Sequence, residues 1–89
     1  MPYFVIFTKY GARLLRKLDP FIKDLIIKEL RALGANPSIG SKLTGKYSFL
    51  RSLHFNVRGV AYRALYEIKE NTKEVVIYVV SKRGDVYQL

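Results

Sequence analysis

Val60-Ala61-Tyr62-Arg63-Ala64-Leu65-Tyr66-Glu67-Ile68, then Asn71-Thr72-Lys73, then Val75-Val76-Ile77-Tyr78-Val79-Val80: these residues carry the plainest strand–turn–strand pattern in the chain. Both apolar runs are short and rich in β-branched and aromatic side chains, which suit a pleated surface, and a cluster of turn-forming residues separates them. They read as a strand from Val60 to Ile68, a turn at 71–73, and a strand from Val75 to Val80. The second has no polar interruption, so it is expected to be buried on both faces.

Working backwards, Tyr47 to Phe55 alternates and reads as another strand, entered through Gly45, with Asn36-Pro37-Ser38 and Gly40-Ser41 as a loop. Before that loop, Ile22, Leu25, Ile26, Leu30 and Leu33 recur at three- and four-residue steps until Gly34, with Asp19 as the cap and Pro20 in the first turn. A preceding helix, Tyr10 to Lys17, places Ala12, Leu15 and Leu18 on one side and Lys9, Arg13, Arg16 and Lys17 around the rest. Tyr3-Phe4-Val5-Ile6-Phe7 opens the chain as a strand buried on at least one face. At the other end Lys82-Arg83-Gly84-Asp85 leaves the sheet and Val86-Tyr87 closes the chain. The order β-α-α-β-β-β, without a repeat or linker, makes residues 1–89 one α+β domain. Its sheet is mainly antiparallel, and a helical hairpin on one sheet face leaves the other face open for a ligand.

Composition narrows what such a domain can do. With 89 residues, 49% hydrophobic and 26% charged, the chain can bury a core but a thin one, so a shallow groove for a large partner is expected over an enclosed pocket. It has no cysteine and one histidine, which removes disulfides, thiolate nucleophiles and sulfur-ligated zinc and argues against a metal site or a cofactor. No segment approaches the roughly 18 consecutive apolar residues of a spanning helix, and 1–8 lacks the charged leader of a signal peptide, so a cytoplasmic protein is expected.

The charge is uneven. Sixteen Lys and Arg against seven Asp and Glu give +9. Residues 34–66 hold five basic groups and no carboxylate, whereas 67–89 hold four of each. Lys42, Lys46, Arg51, Arg58 and Arg63 in that middle third are interleaved with Tyr47, Phe49, Phe55 and Tyr62. Cations take phosphates and aromatic faces stack on bases, so nucleic acid is the expected partner; the plain alternative is a solvated basic surface over an aromatic core.

The pieces Asn36-Pro37, Lys42-Leu43-Thr44-Gly45, Tyr62-Arg63-Ala64-Leu65-Tyr66 and Lys82-Arg83-Gly84-Asp85-Val86-Tyr87, behind a strand and a helical hairpin, resemble the RelE/ParE superfamily of bacterial and archaeal toxins. The resemblance spans nearly the whole chain. It implies a RelE-like fold and a toxin held silent by a cognate antitoxin in a toxin–antitoxin hetero-oligomer. For the RelE branch it implies a metal-independent endoribonuclease, an mRNA interferase that cuts messages at the ribosome; for the ParE branch, a DNA gyrase poison that is no nuclease. A third reading is an inactive homologue that keeps the fold and binds RNA or protein. The tail resembles RelE, whereas the spacing from Leu53 to Tyr62-Arg63 resembles the HigB branch, where a longer hairpin loop precedes the same Tyr-Arg. With the chain stopping at Leu89, an antitoxin is expected to act by covering Arg63 and Arg83 directly.

Metal-free RNA cleavage needs a base for the 2′-hydroxyl, positive charge for the transition state and an acid for the leaving 5′-oxygen. By the resemblance, Arg63 is the phosphate clamp, Arg83 its partner, and Tyr87 the residue that stacks on a base or helps proton transfer. Strand alternation puts Arg63 on the side of Ala61 and Leu65, with Tyr62 and Tyr66 on the other. The alternatives are an Arg63 salt bridge to Glu67, an Arg83 pair with Asp85, and Tyr87 as a core-edge aromatic. RelE nucleases carry lysines on the strand where this chain has Ser52 and His54, so His54 is either the general base or a structural residue in a weakened site. Lys42, Lys46, Arg51, Arg58 and Lys82 complete the expected RNA-binding set as contacts to backbone phosphates.

Overall fold

The computed structural model describes residues 2–84. Strand β1 (Phe4–Phe7) is followed by helix α1 (Lys9–Arg16), helix α2 (Pro20–Arg31), a short strand β2 (Ser41–Lys42), and the long strands β3 (Leu50–Val57), β4 (Val60–Lys69) and β5 (Glu74–Lys82). They form one sheet in the order β1-β5-β4-β3-β2, antiparallel except where β1 runs parallel to β5. The α+β architecture is the one expected, with one strand added.

Local chemistry sets the helix ends. The Thr8 hydroxyl accepts from the Gly11 N–H at 3.0 Å and the Asp19 carboxylate accepts from the Phe21 N–H at 2.9 Å, each satisfying an amide that the first turn leaves unpaired. Both helices pack on the same side of the sheet. Leu15, Ile26, Leu30 and Leu33 join Phe55, Val57, Tyr62, Ala64, Tyr66, Val75, Ile77 and Val80 in the core. Fully burying one such aliphatic side chain contributes about 1.5–3 kcal/mol.

Three expectations need correcting. Ser41, read as loop together with Gly40, pairs with Ser52, and Lys42 pairs with Arg51, as a two-residue edge strand; two polar residues are too few to show a period. The strand expected from Tyr47 begins at Leu50, because residues 45–47 form a tight turn and Tyr47 packs on Phe49 at 6.4 Å instead of joining the ladder. The β3–β4 loop is not long: Val57 pairs with Val60, and Arg58 (φ 54°) and Gly59 (φ 80°) are the two central residues of a tight hairpin turn.

The pairing register sorts the strand residues onto two faces, since directly opposed residues share a side. Tyr62, Ala64 and Tyr66 face the helices, as strand alternation required. The other face carries Leu50, Ser52, His54, Ala61, Arg63, Leu65, Val76, Val79 and Ser81. That face is not uniformly open. Leu50, Leu65, Val76 and Val79 are buried on it, and β5, buried on both sides as expected, carries a bulge at Tyr78 between the Leu65 and Tyr66 pairings.

Candidate nucleic-acid interface

The polar end of that second face is built from three neighbouring strands. His54 on β3 lies directly opposite Arg63 on β4, and Arg63 lies directly opposite Ser81 on β5. One row further in, Ser52 stands opposite Leu65. One row further out, the Arg83 N–H donates to the Ala61 carbonyl at 3.0 Å, which continues the ladder past Lys82 and sets Arg83 diagonally across from Arg63. Diagonal neighbours in such a ladder are about 7–8 Å apart, within joint reach of one phosphate for two guanidinium groups.

A cleft of about 430 Å³ opens beside this row, lined by Ile39, Ser41, Leu43, Ser52, Leu53, His54 and Arg63. Its size is that of an ordinary small-ligand cleft. The hydroxyl oxygens of Ser52 and Ser81 are buried and have no hydrogen-bond partner among the described residues. An unsatisfied buried hydroxyl costs about 1–3 kcal/mol, and such groups concentrate where a protein holds donors ready for something else. A forked guanidinium, an exposed imidazole and hydroxyls at one end of a rigid sheet can grip an anion and move a proton beside it.

The expected site residues divide. His54, Arg63 and Arg83 come together; Tyr87 and Asp85 lie outside the described residues. Lys42 on the edge strand and Arg51 line a separate, smaller cleft with Phe49 and Glu67. Arg51 is also engaged, donating to the Gly40 carbonyl at 2.8 Å. Lys46 sits over the Tyr47 ring at 5.2 Å, and Arg58, at the hairpin tip, sits over the Phe21 ring of α2 at 5.3 Å. Lys82 is exposed and shares a row with Phe55 and Tyr62, on the helix side of the ladder. Phe55 and Tyr62 themselves are stacked on each other in the core, 5.9 Å apart at 19°, so they offer no face to a base. Four residues along a strand span about 13 Å, and the Glu67 carboxylate accepts from the Tyr78 hydroxyl at 2.7 Å, which gives Glu67 a partner of its own. That bond, ahead of burial, raises the Tyr78 hydroxyl above the usual tyrosine value.

Sequence reasoning missed Ser81 and gave Ser52 no role. Both become visible only through the register that sets them around Arg63. The one trace in the sequence is that Ser81 ends the apolar run of β5.

A small α+β domain with a basic cleft at the end of an otherwise packed sheet is the class defined so far. A family model described as the ParE-like toxin of type II bacterial toxin–antitoxin systems matches residues 5–89, and the chain belongs to that family. Among solved structures it is similar to a chain of a RelBE-type toxin–antitoxin complex from Mycobacterium tuberculosis, at 33% identity and a TM-score of 0.78 over 93% of this chain and 100% of that one. It is also similar to the isolated Escherichia coli RelE toxin (24% identity, TM-score 0.74, 94% and 87% covered). An archaeal RelE–RelB complex from Pyrococcus horikoshii gives 22% identity and a TM-score of 0.65, with 97% and 100% covered. The last two likenesses show the fold alone. No curated protein matches. Among the described residues, no helix is long and apolar enough to cross a membrane.

Proposed function

We propose that this chain is the toxin of a toxin–antitoxin pair and acts as a metal-independent endoribonuclease on messages at the ribosome. The observation that carries the reading is the row His54–Arg63–Ser81, with Arg83 diagonal to it, on the sheet face away from the helices. In this reading Arg63 and Arg83 grip the scissile phosphate, and His54 takes the proton from the 2′-hydroxyl. The 2′-oxygen attacks phosphorus, the bond to the 5′-oxygen breaks, and that oxygen leaves with a proton from Tyr87. The products are a 2′,3′-cyclic phosphate and a free 5′-hydroxyl. Charge on the guanidiniums offsets the extra negative charge that builds up in the transition state.

The antitoxin is expected to cover the same cleft. An acidic, partly helical chain would complement a domain of net charge +9, and the Mycobacterium and Pyrococcus relatives were solved as toxin–antitoxin complexes.

The test is induced expression of the wild type beside Arg63→Ala and Arg83→Ala, reading growth and mapping new 5′ ends in cellular messages. Arrest with new cuts, both lost in the variants, supports the nuclease. The ParE-like family description favours a second reading, a gyrase poison. Arrest with intact messages and blocked supercoiling by purified gyrase would establish that one instead, and growth without arrest would mark an inactive homologue.

A further inference from the structure

We propose that residues 37–43 form a nucleobase-binding wall beside the Arg63 phosphate site, and that Tyr66 and Arg51 position that wall. This rests on the RNA reading above and adds to it the element that would choose the base.

The cleft has two chemically distinct flanks. His54, Arg63, Ser52 and Ser41 are polar or cationic, whereas Ile39, Leu43 and Leu53 are aliphatic. A nucleotide has the same division, a charged phosphate joined to a base with flat apolar faces. Ile39 is 50% exposed although it is a large aliphatic side chain, at the rim of a cleft that also holds the guanidinium. An aliphatic surface held at a fixed distance from a phosphate clamp discriminates bases by shape and by the polar groups at their edges.

Such discrimination requires a wall that stays in place, and this one is pinned from the helix side of the sheet. The Tyr66 hydroxyl accepts from the Gly40 N–H at 2.9 Å and donates to the Pro37 carbonyl at 2.6 Å. Arg51 donates to the Gly40 carbonyl at 2.8 Å. Tyr66 is fully buried, and burial raises its hydroxyl above the usual tyrosine value, so it stays protonated and can keep donating. At position 40 a β-carbon would lie 2.5 Å from the Tyr66 oxygen, so only glycine lets the backbone approach this closely. Two side chains and three hydrogen bonds therefore fix the middle of a segment that is otherwise short turns and a two-residue edge strand. In this role Tyr66 and Arg51 act through the backbone at 37–40.

The experiment uses the full chain and four fluorescent 2′-deoxy oligonucleotides, uncleavable for lack of the attacking hydroxyl, each a run of one base. Affinities are ranked for the wild type, Ile39→Ala and Tyr66→Phe, with hydrogen exchange followed at residues 37–43. Ile39→Ala is expected to reduce the ratio between the best and worst oligomer about 10-fold, the size of effect an aliphatic contact supplies. Tyr66→Phe should flatten the same ranking while exchange at 38–41 accelerates and the protein remains folded at the assay temperature. A uniform loss of affinity with the ranking intact would make Tyr66 merely structural and overturn the proposal. So would an unchanged ranking in Ile39→Ala, or a wild type that binds no oligomer. If the wild type ranks the oligomers and both variants flatten the ranking, yet it cuts no message, the nuclease reading fails and the wall stands.

Discussion

His54 and Arg63 face each other directly across the β3–β4 ladder, an imidazole and a guanidinium on adjacent rigid strands. Opposed side chains in such a ladder have β-carbons about 4.5–5.5 Å apart, so the two groups can approach one small anion from neighbouring backbones. In the proposed reaction, proton transfer and phosphate gripping fall to different strands, and substitutions can separate them.

His54→Gln keeps a polar side chain of similar reach but removes the imidazole that, in the proposed reaction, takes the proton from the 2′-hydroxyl. Cleavage of a translated message in single turnover should slow about 10²–10⁴-fold, with RNA affinity unchanged within roughly 3-fold. Equal losses in both would make His54 a binding residue and leave the base elsewhere.

Arg63→Lys retains the charge but not the planar fork. It should recover part of the affinity lost in Arg63→Ala and little of the cleavage, because a point charge cannot hold two phosphate oxygens in fixed positions. Filter binding and 5′-end mapping on the pair of variants check this.

Arg58 and Lys46 belong to the basic middle third but are placed over the rings of Phe21 and Tyr47. Arg58→Ala and Lys46→Ala should each change RNA affinity by less than about 2-fold, the scale of one exposed charge, whereas Arg83→Ala should weaken it several-fold more. Salt titrations of binding would show the same order in their slopes.

Tyr66→Phe deletes the hydroxyl shared by Gly40 and Pro37 and leaves both backbone groups short of a partner. Denaturant unfolding at neutral pH should show a loss of about 1–3 kcal/mol. Since burial raises the folded-state value, the hydroxyl's contribution is complete below the ordinary tyrosine value of about 10 and disappears as pH rises through the raised one. Wild-type stability should therefore fall above about pH 10. The fall should be shallower in Tyr66→Phe, with a remainder from Tyr78 and Tyr3, whose hydroxyls are raised chiefly by their bonds to Glu67 and Glu70.

Gly11→Ala sets helix propensity against contact. Alanine favours a helix interior by about 1 kcal/mol, but a β-carbon at position 11 would meet the Ile77 carbonyl oxygen at 2.8 Å, and α1 would have to lift off β5. The contact is with backbone that cannot swing aside, so thermal unfolding should show a lower midpoint in the variant.

The longer elements in their order, the N-cap of α2, the burial of β5 and the face of β4 that carries Arg63 were all legible in the amino-acid order. Each depends on short-range periodicity or on turn chemistry that a few consecutive residues contain. The basic middle third was equally plain, but its meaning was not: a count of cations does not say which of them share a surface. That answer came from the assembled fold: register sets Ser81 and His54 on either side of Arg63 and brings Arg83 diagonally beside it, while the packing of α2 puts the ring of Phe21 under Arg58. It also gave Arg51 a hydrogen bond to the Gly40 carbonyl and Tyr66 its place beneath residues 37–40. Those relationships join residues 9 to 37 positions apart, and they exist only in the assembled sheet with the helices packed on one face of it.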